Sequence, residues 1–246
     1  MKHKMALCFL TYTNVSQPKL WHKIIHNHED KINVYIHNKH DFKDNKYGLH
    51  KYYIKNRVQT KHAHISLVQA TLKLFEEAFQ NNENEFFILL SDKTIPLYNY
   101  DYIYNKIKET NRNIISNESY KSIERYNDLN NKKFFNINQF SKQSQWMVLD
   151  RKTVEFFIHN DFTYLYSDNF YAPDEHYFIN LCIKFNIQFL EKQITYVNWE
   201  ENDGTPKTYI HLTNEFINEI KKNKDHLFMR KISNKCILPS YFDGLS

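Results

Sequence analysis

The stretch Tyr171-Ala172-Pro173-Asp174-Glu175-His176-Tyr177 sets two adjacent carboxylates and an imidazole directly after a proline. Proline is favoured at the first helical position and acids in the first turn, so the spacing predicts a helix opening at Pro173. The apolar run Tyr177, Phe178, Ile179, Leu181, Cys182 and Ile183 would carry that helix into a core. Carboxylates on a rigid helix start suit a general base, which must stay within hydrogen-bond reach of the proton it takes. Ordinary first-turn charge, serving only the helix dipole, accounts for the same residues with no chemistry at all. His26-Asn27-His28 and His62-Ala63-His64 look superficially like metal-ligand pairs and are read as incidental.

The elements that must position these groups follow from periodicity. Met5 to Leu10 reads as a buried strand, Trp21 to His26 as a short helix, and Ile32 to His37 as a second strand. Residues 38–62 are polar and predict loops, with an extended piece at Tyr52-Tyr53-Ile54. Ile65, Val68, Leu72, Phe75 and Phe79 step by three and four, the mark of one apolar helix face. The strand-length run Phe86 to Leu90 ends in Ser91-Asp92-Lys93-Thr94-Ile95-Pro96, and such strand-to-loop junctions are where α/β proteins usually hold ligands. A helix over 99–109 and a polar loop over 111–140 come next. Gln145 to Leu149 then predicts a strand and Arg151 to His159 a helix. Ile194 to Trp199 is strand-like, and Glu200 to Lys207, with Gly204 and Pro206, is a turn-rich loop. Thr213 can cap a last helix that carries Glu215 in its first turn and Lys221, Lys222 and Lys224 at its end. His226 to Ile232 resumes a strand. The alternation predicts one mixed α/β domain over 1–246.

Bulk properties narrow the function. A net charge of +5 over 246 residues, with Lys and Arg scattered among acids, supplies no basic stripe, and nucleic acid is not an expected partner. Cys8, Cys182 and Cys236 are widely spaced, without zinc-like or paired spacing, which fits a reducing compartment. Behind Lys2 and Lys4, the run Met5 to Leu10 is too short to span a bilayer and lacks a small-residue cleavage site. No transmembrane segment and a cytoplasmic location are the expectations.

Several segments together resemble the core-2/I-branching β-1,6-N-acetylglucosaminyltransferase family, whose wider membership includes the peptide xylosyltransferases. Val34-Tyr35-Ile36-His37 looks like that family's YVH strand end, and Ser66-Leu67-Val68-Gln69-Ala70 like its W-S-x-V-x-A helix, with Ile65 where Trp is common. Leu89 to Tyr98 resembles LLSESCIPL, Lys142-Gln143-Ser144-Gln145-Trp146 resembles KGSQW, and Ala172 to Tyr177 resembles PDEHY. Val197-Asn198-Trp199 followed by Gly204-Thr205-Pro206 resembles VDW and G-x-HP, with Thr205 in place of His. Leu227 to Ile232 resembles LFARKF. The matches run in family order from about residue 5 to residue 232.

The resemblance implies a GT-A-type fold, a Rossmann-like mixed sheet flanked by helices. It also implies inverting transfer of a sugar, GlcNAc or xylose first among candidates, from a UDP-sugar donor to a hydroxyl of a glycan or glycoprotein acceptor. Glu175 matches the Glu of PDEHY and becomes the expected base. Asp174 is read as a supporting or acceptor-binding group, and His176 as a supporting group or a plain hydrogen-bonded helix residue. The chain contains no Asp-x-Asp, and the core-2 branch works without metal, so no metal cofactor is expected. Arg230 and Lys231 match the basic pair of ARK and would offset charge on the diphosphate, with Lys207 near another basic position. His37, Ser91 and Asp92 are expected near the nucleotide, Gln145 and Trp146 at the donor sugar, and Trp199 at the acceptor. A non-catalytic relative that binds nucleotide sugar or glycan is the alternative, kept open by the departures at Ile65 and Thr205.

Overall fold

The computed structural model describes residues 3–12, 14–41, 47–118, 123–199 and 204–245. Lys2 and parts of three expected loops (42–46, 119–122 and 200–203) lie outside the described residues. The chain opens with strand β1 (Lys4–Thr11), helix α1 (Pro18–Asn27) and strand β2 (Ile32–Asn38). Helix α2 (Ser66–Phe79), strands β3 (Asn84–Ser91) and β4 (Ile95–Pro96), and helix α3 (Tyr100–Thr110) follow. Next come β5 (Asn113–Ile115), α4 (Ile123–Asn127), β6 (Val148–Asp150), α5 (Arg151–His159) and α6 (Tyr177–Lys184). The last part holds β7 (Phe189–Glu191), β8 (Thr195–Val197), β9 (Tyr209–His211), α7 (Asn214–Ile220), β10 (Phe228–Arg230) and β11 (Ile232–Ile237).

Six strands form a mixed sheet in the order β2-β1-β3-β6-β5-β7. β1 runs parallel to both β2 and β3, whereas β6 runs antiparallel to β3 and β5. The central strands are apolar on both faces because both faces are covered, as parallel sheets require. Their alternation divides the core in two. Met5, Leu7 and Phe9 of β1, with Phe86, Ile88 and Leu90 of β3, pack under α1, α3 and α7. Ala6, Cys8, Phe87 and Leu89 point the other way, toward α2, α5 and α6. Three of the helix starts are secured by side-chain caps: Asn99 accepts from Tyr102 N–H, Asp150 from Thr153 N–H, and Thr213, as its sequence position predicts, from Phe216 N–H. All three cysteines are buried free thiols, and no described helix is long and apolar enough to cross a membrane.

Two smaller sheets complete the site's frame. β10 lies between β4 and β8, parallel to β8, with Arg230 in register with Val197. β11 pairs with β9 in parallel. The expected single strand over 226–232 is therefore two strands that meet at Lys231 and belong to different sheets. Three other expectations need correction. Tyr52 closes a 3-10 turn (Leu49–Tyr52); Tyr53 bridges to the sheet at Ile36, and Ile54 N–H donates to the Ile36 carbonyl at 3.0 Å. The polar stretch 111–140 contributes β5 to the main sheet and buries Leu129, Phe135 and Phe140; a three-residue strand is too short to give a period. Most important, Pro173–Glu175 is a separate 3-10 turn, broken from α6 at His176.

Candidate active site

Pro173 does open a turn, but Ala172 before it is left-handed (φ 56°) and the backbone at His176 (φ −130°) leaves helical geometry. The break comes from what His176 must reach. Its ring is buried, its Nδ1–H donates to the Ser141 carbonyl at 2.9 Å, and it stacks on Phe140 with ring centres 5.3 Å apart. Burial, the largest influence, holds this imidazole down to about 4, so it serves as a neutral anchor. Asn180, one helical turn on, accepts from Ser141 N–H and donates back to the Ser141 carbonyl. Gln143 is fully buried, accepts from Ile179 N–H, and its backbone N–H donates to the Glu175 carbonyl at 2.8 Å. These bonds lace the 140–146 segment to the turn that carries Asp174 and Glu175.

Above this turn lies a cleft of about 450 Å³. It gathers seven of the residues expected from sequence: Gln145, Trp146, Asp174, Glu175, Trp199, Arg230 and Lys231. Glu175 and the end of β10 both line it, and the Glu175 charge acts on Arg230. The Arg230 guanidinium lies 4.6 Å from the Trp146 ring centre, and its Nε–H donates to Ser91 Oγ at 3.2 Å. Burial lowers this guanidinium to about 10, opposed by the charges of Asp92 and Glu175, so it remains a cation at neutral pH. A partly buried cation fixed by stacking and a hydrogen bond is suited to an anionic ligand. Trp199 is 52% exposed at the cleft and leaves aromatic surface free. Thr205 lines the cleft, whereas Ile65 is buried in the core at the start of α2.

Four expected residues are not among those lining the cleft. Ser91 holds Arg230, and its Oγ also pairs with Thr94 Oγ1 at 2.8 Å. Asp92 is buried and stabilises the Arg230 charge, so both act on the cleft through that side chain. His37 is fully buried; its Nε2 accepts from Val58 N–H at 2.9 Å, and burial lowers it to about 4. It ties residue 58 to β2. Lys207 braces the opposite rim through its backbone, donating to Asn198 and accepting from Lys231 N–H, with its ammonium 5.7 Å from the Tyr209 ring centre.

A second lobe of about 560 Å³ adjoins the first and shares Glu118, Lys142, Tyr171, Ala172 and Glu175 with it. It adds Glu124, Arg125 and His176, and Arg125 lies 4.5 Å from the Tyr171 ring centre. Glu175 thus borders both lobes. Sequence reasoning gave no role to Glu118, Arg125, Lys142 or Tyr171. Lys142 stood inside a matched segment, but nothing local sets it against residues 118 and 175.

Asp174 is 7% exposed, and its Oδ1 has no hydrogen-bond partner among the described residues. Burial first, and the Glu175 charge second, raise its carboxyl to about 7. Between about pH 4 and pH 7 the folded protein therefore keeps a proton that the unfolded chain has released, and stability falls as pH rises through that window. Asp174→Asn is expected to be more stable than wild type at pH 8, by roughly 4 kcal/mol, with the gain vanishing near pH 4. Urea unfolding of both proteins at pH 4.5 and 8 measures this; equal differences at the two pH values would contradict it.

A mixed central sheet flanked by helices, with a cleft between a carboxylate-bearing turn and a basic strand end, defines a GT-A-like glycosyltransferase fold. The chain belongs to the Core-2/I-Branching enzyme family, whose family model matches residues 5–221. It is also similar to Glycosyltransferase BC10 of Oryza sativa subsp. japonica, with 29% identity over 108 residues. That match covers 44% of this chain and 27% of the relative's length, so only about a quarter of the relative is matched.

Proposed function

We propose that this chain, as one domain over residues 1–246, is an inverting glycosyltransferase that uses a UDP-sugar. GlcNAc and xylose are the leading candidates for the transferred sugar, and the acceptor is a hydroxyl of a glycan or glycoprotein. One observation carries the reading: the Glu175 carboxylate and the Arg230 and Lys231 cations line a single cleft, and the Glu175 charge is felt by Arg230. Direct displacement needs both. As the acceptor oxygen bonds to the anomeric carbon, its proton passes to Glu175. The anomeric bond to the β-phosphate oxygen breaks, and the electron pair leaves with the UDP. Arg230 and Lys231 offset the charge that gathers there.

The two lobes suit two substrates. The lobe with Trp146, Arg230 and Lys231 would take the donor, and the lobe with Arg125 and Tyr171 the acceptor, which puts Glu175 at their junction. Trp199 offers a face for a sugar ring at the cleft. With Arg230 and Lys231 in the cleft to offset the diphosphate charge, the reaction is expected to run without a metal ion.

A panel of nucleotide sugars, followed by thermal shift and by UDP release, tests this with EDTA and with Mn²⁺. The expected result is stabilisation and turnover by a UDP-sugar, undiminished in EDTA. Dependence on Mn²⁺ would overturn the metal-free mechanism. Binding with no turnover for any acceptor offered would favour a non-catalytic relative.

A further inference from the structure

Three segments distant in sequence are laced together beside Glu175. The Glu118 N–H donates to the Lys142 carbonyl at 2.8 Å, the Ser144 N–H to Ser116 Oγ at 2.7 Å, and the Gln143 N–H to the Glu175 carbonyl. On this backbone frame the side chains form a charged triad. Lys142 Nζ lies 3.1 Å from Glu118 Oε2 and 3.4 Å from Glu175 Oε2. Lys142 and Glu175 are partly buried, Glu118 is more exposed, and all three line both lobes. Burial disfavours the Lys142 ammonium, but the two carboxylates outweigh it and hold Lys142 protonated above the ordinary lysine range.

We propose that Lys142 is a positioning residue for Glu175, with Glu118 the counter-ion that limits how strongly it holds that carboxylate. The proposal rests on Glu175 as the base. An ammonium on Oε2 fixes a side chain with three rotatable bonds and leaves Oε1 to meet the acceptor hydroxyl. The same ammonium is shared with Glu118. When the acceptor proton arrives, Glu175 becomes neutral, and Lys142 keeps a carboxylate partner in Glu118. The proton transfer therefore never leaves a half-buried ammonium unpaired. The other charged or titratable groups coupled to the triad are Asp174 and Arg230, which feel Glu175, and neutral His176, which feels Lys142.

The test compares Lys142→Met, Lys142→Arg, Glu118→Gln and Glu175→Gln by steady-state UDP release from UDP-N-acetylglucosamine or UDP-xylose across pH. Lys142→Met is expected to lose about 10²-fold in kcat with little change in donor KM, the size of effect a misplaced reacting group produces. Lys142→Arg restores most of that loss. A loss confined to kcat in Lys142→Met and regained in Lys142→Arg is a pattern that a merely structural role would not produce, and Glu118→Gln, which leaves the Lys142–Glu175 contact in place, keeps most of the wild-type kcat. Crystal structures of the Lys142→Met and Lys142→Arg variants need no turnover: the Glu175 carboxylate leaves its position in the first and keeps it in the second. Full kcat in Lys142→Met, or an unmoved Glu175 carboxylate in its crystals, overturns the proposal. Wild-type turnover in Glu175→Gln removes the base assignment and this inference with it. An inactive Glu175→Gln beside a normal Lys142→Met removes this inference alone.

Discussion

Replacing Glu175 with Gln is expected to abolish sugar transfer while leaving nucleotide binding intact. The amide keeps the shape of the side chain but cannot accept the acceptor's proton at neutral pH. General-base catalysis typically contributes 10²–10⁴-fold, so a fall of about 10³-fold in kcat, roughly 4 kcal/mol of barrier, is the expected size. The backbone anchors of the turn are untouched: the Glu175 carbonyl still accepts from Gln143 N–H, and His176 still holds Ser141. UDP affinity, read by calorimetry, should therefore change by no more than about threefold, the pattern of an interaction made only in the transition state. A variant that retains transfer would remove Glu175 as the base, and one that loses UDP binding would show the turn to be a binding element.

Arg230 carries the second large effect. Its guanidinium is held by Ser91 Oγ and by the Trp146 face, so it reaches the cleft already oriented and partly buried. Groups fixed in advance against developing charge are worth more than the same groups in water, and loss of one typically costs 10²–10³-fold. Arg230→Ala is thus expected to lower kcat by about 10²–10³-fold, or 3–4 kcal/mol, and to weaken UDP binding as well. Arg230→Lys should recover only a small part, because a point charge on a flexible stem cannot keep both the Ser91 bond and the stacked fork. Steady-state kinetics with UDP binding measured in parallel would show it. An Arg230→Lys variant as active as wild type would mean that charge alone, without the fork, does the work.

Much of the frame was readable from local pattern. The helix over 66–79 follows from residues stepping by three and four, and β3 from a continuous apolar run. The cap at Thr213 follows from residue type and place. These signals act within a few residues, so a chain without its tertiary context still displays them. The turn at Pro173–Glu175 was misread as a helix start because proline and acids at its head satisfy the rules for one. What interrupts it is His176 bonding to Ser141, thirty-five residues away. In the same way 226–232 reads as one strand, whereas the neighbours β8 and β9, themselves short, divide it between two sheets.

The residues that could do chemistry were therefore named by the sequence alone: a carboxylate just after a proline, a basic pair at a strand end, aromatic side chains elsewhere in the chain. Seven of those expected residues do share one cleft. Which of the others act through a neighbour, as Ser91 and Asp92 do through Arg230, was decided only by packing. So was the triad of Glu118, Lys142 and Glu175. The reason is one of range. Propensity, capping and periodicity are set by residues a turn or a strand apart, whereas a charge takes its meaning from whatever the fold brings within about 4 Å of it. No sequence spacing encodes that distance.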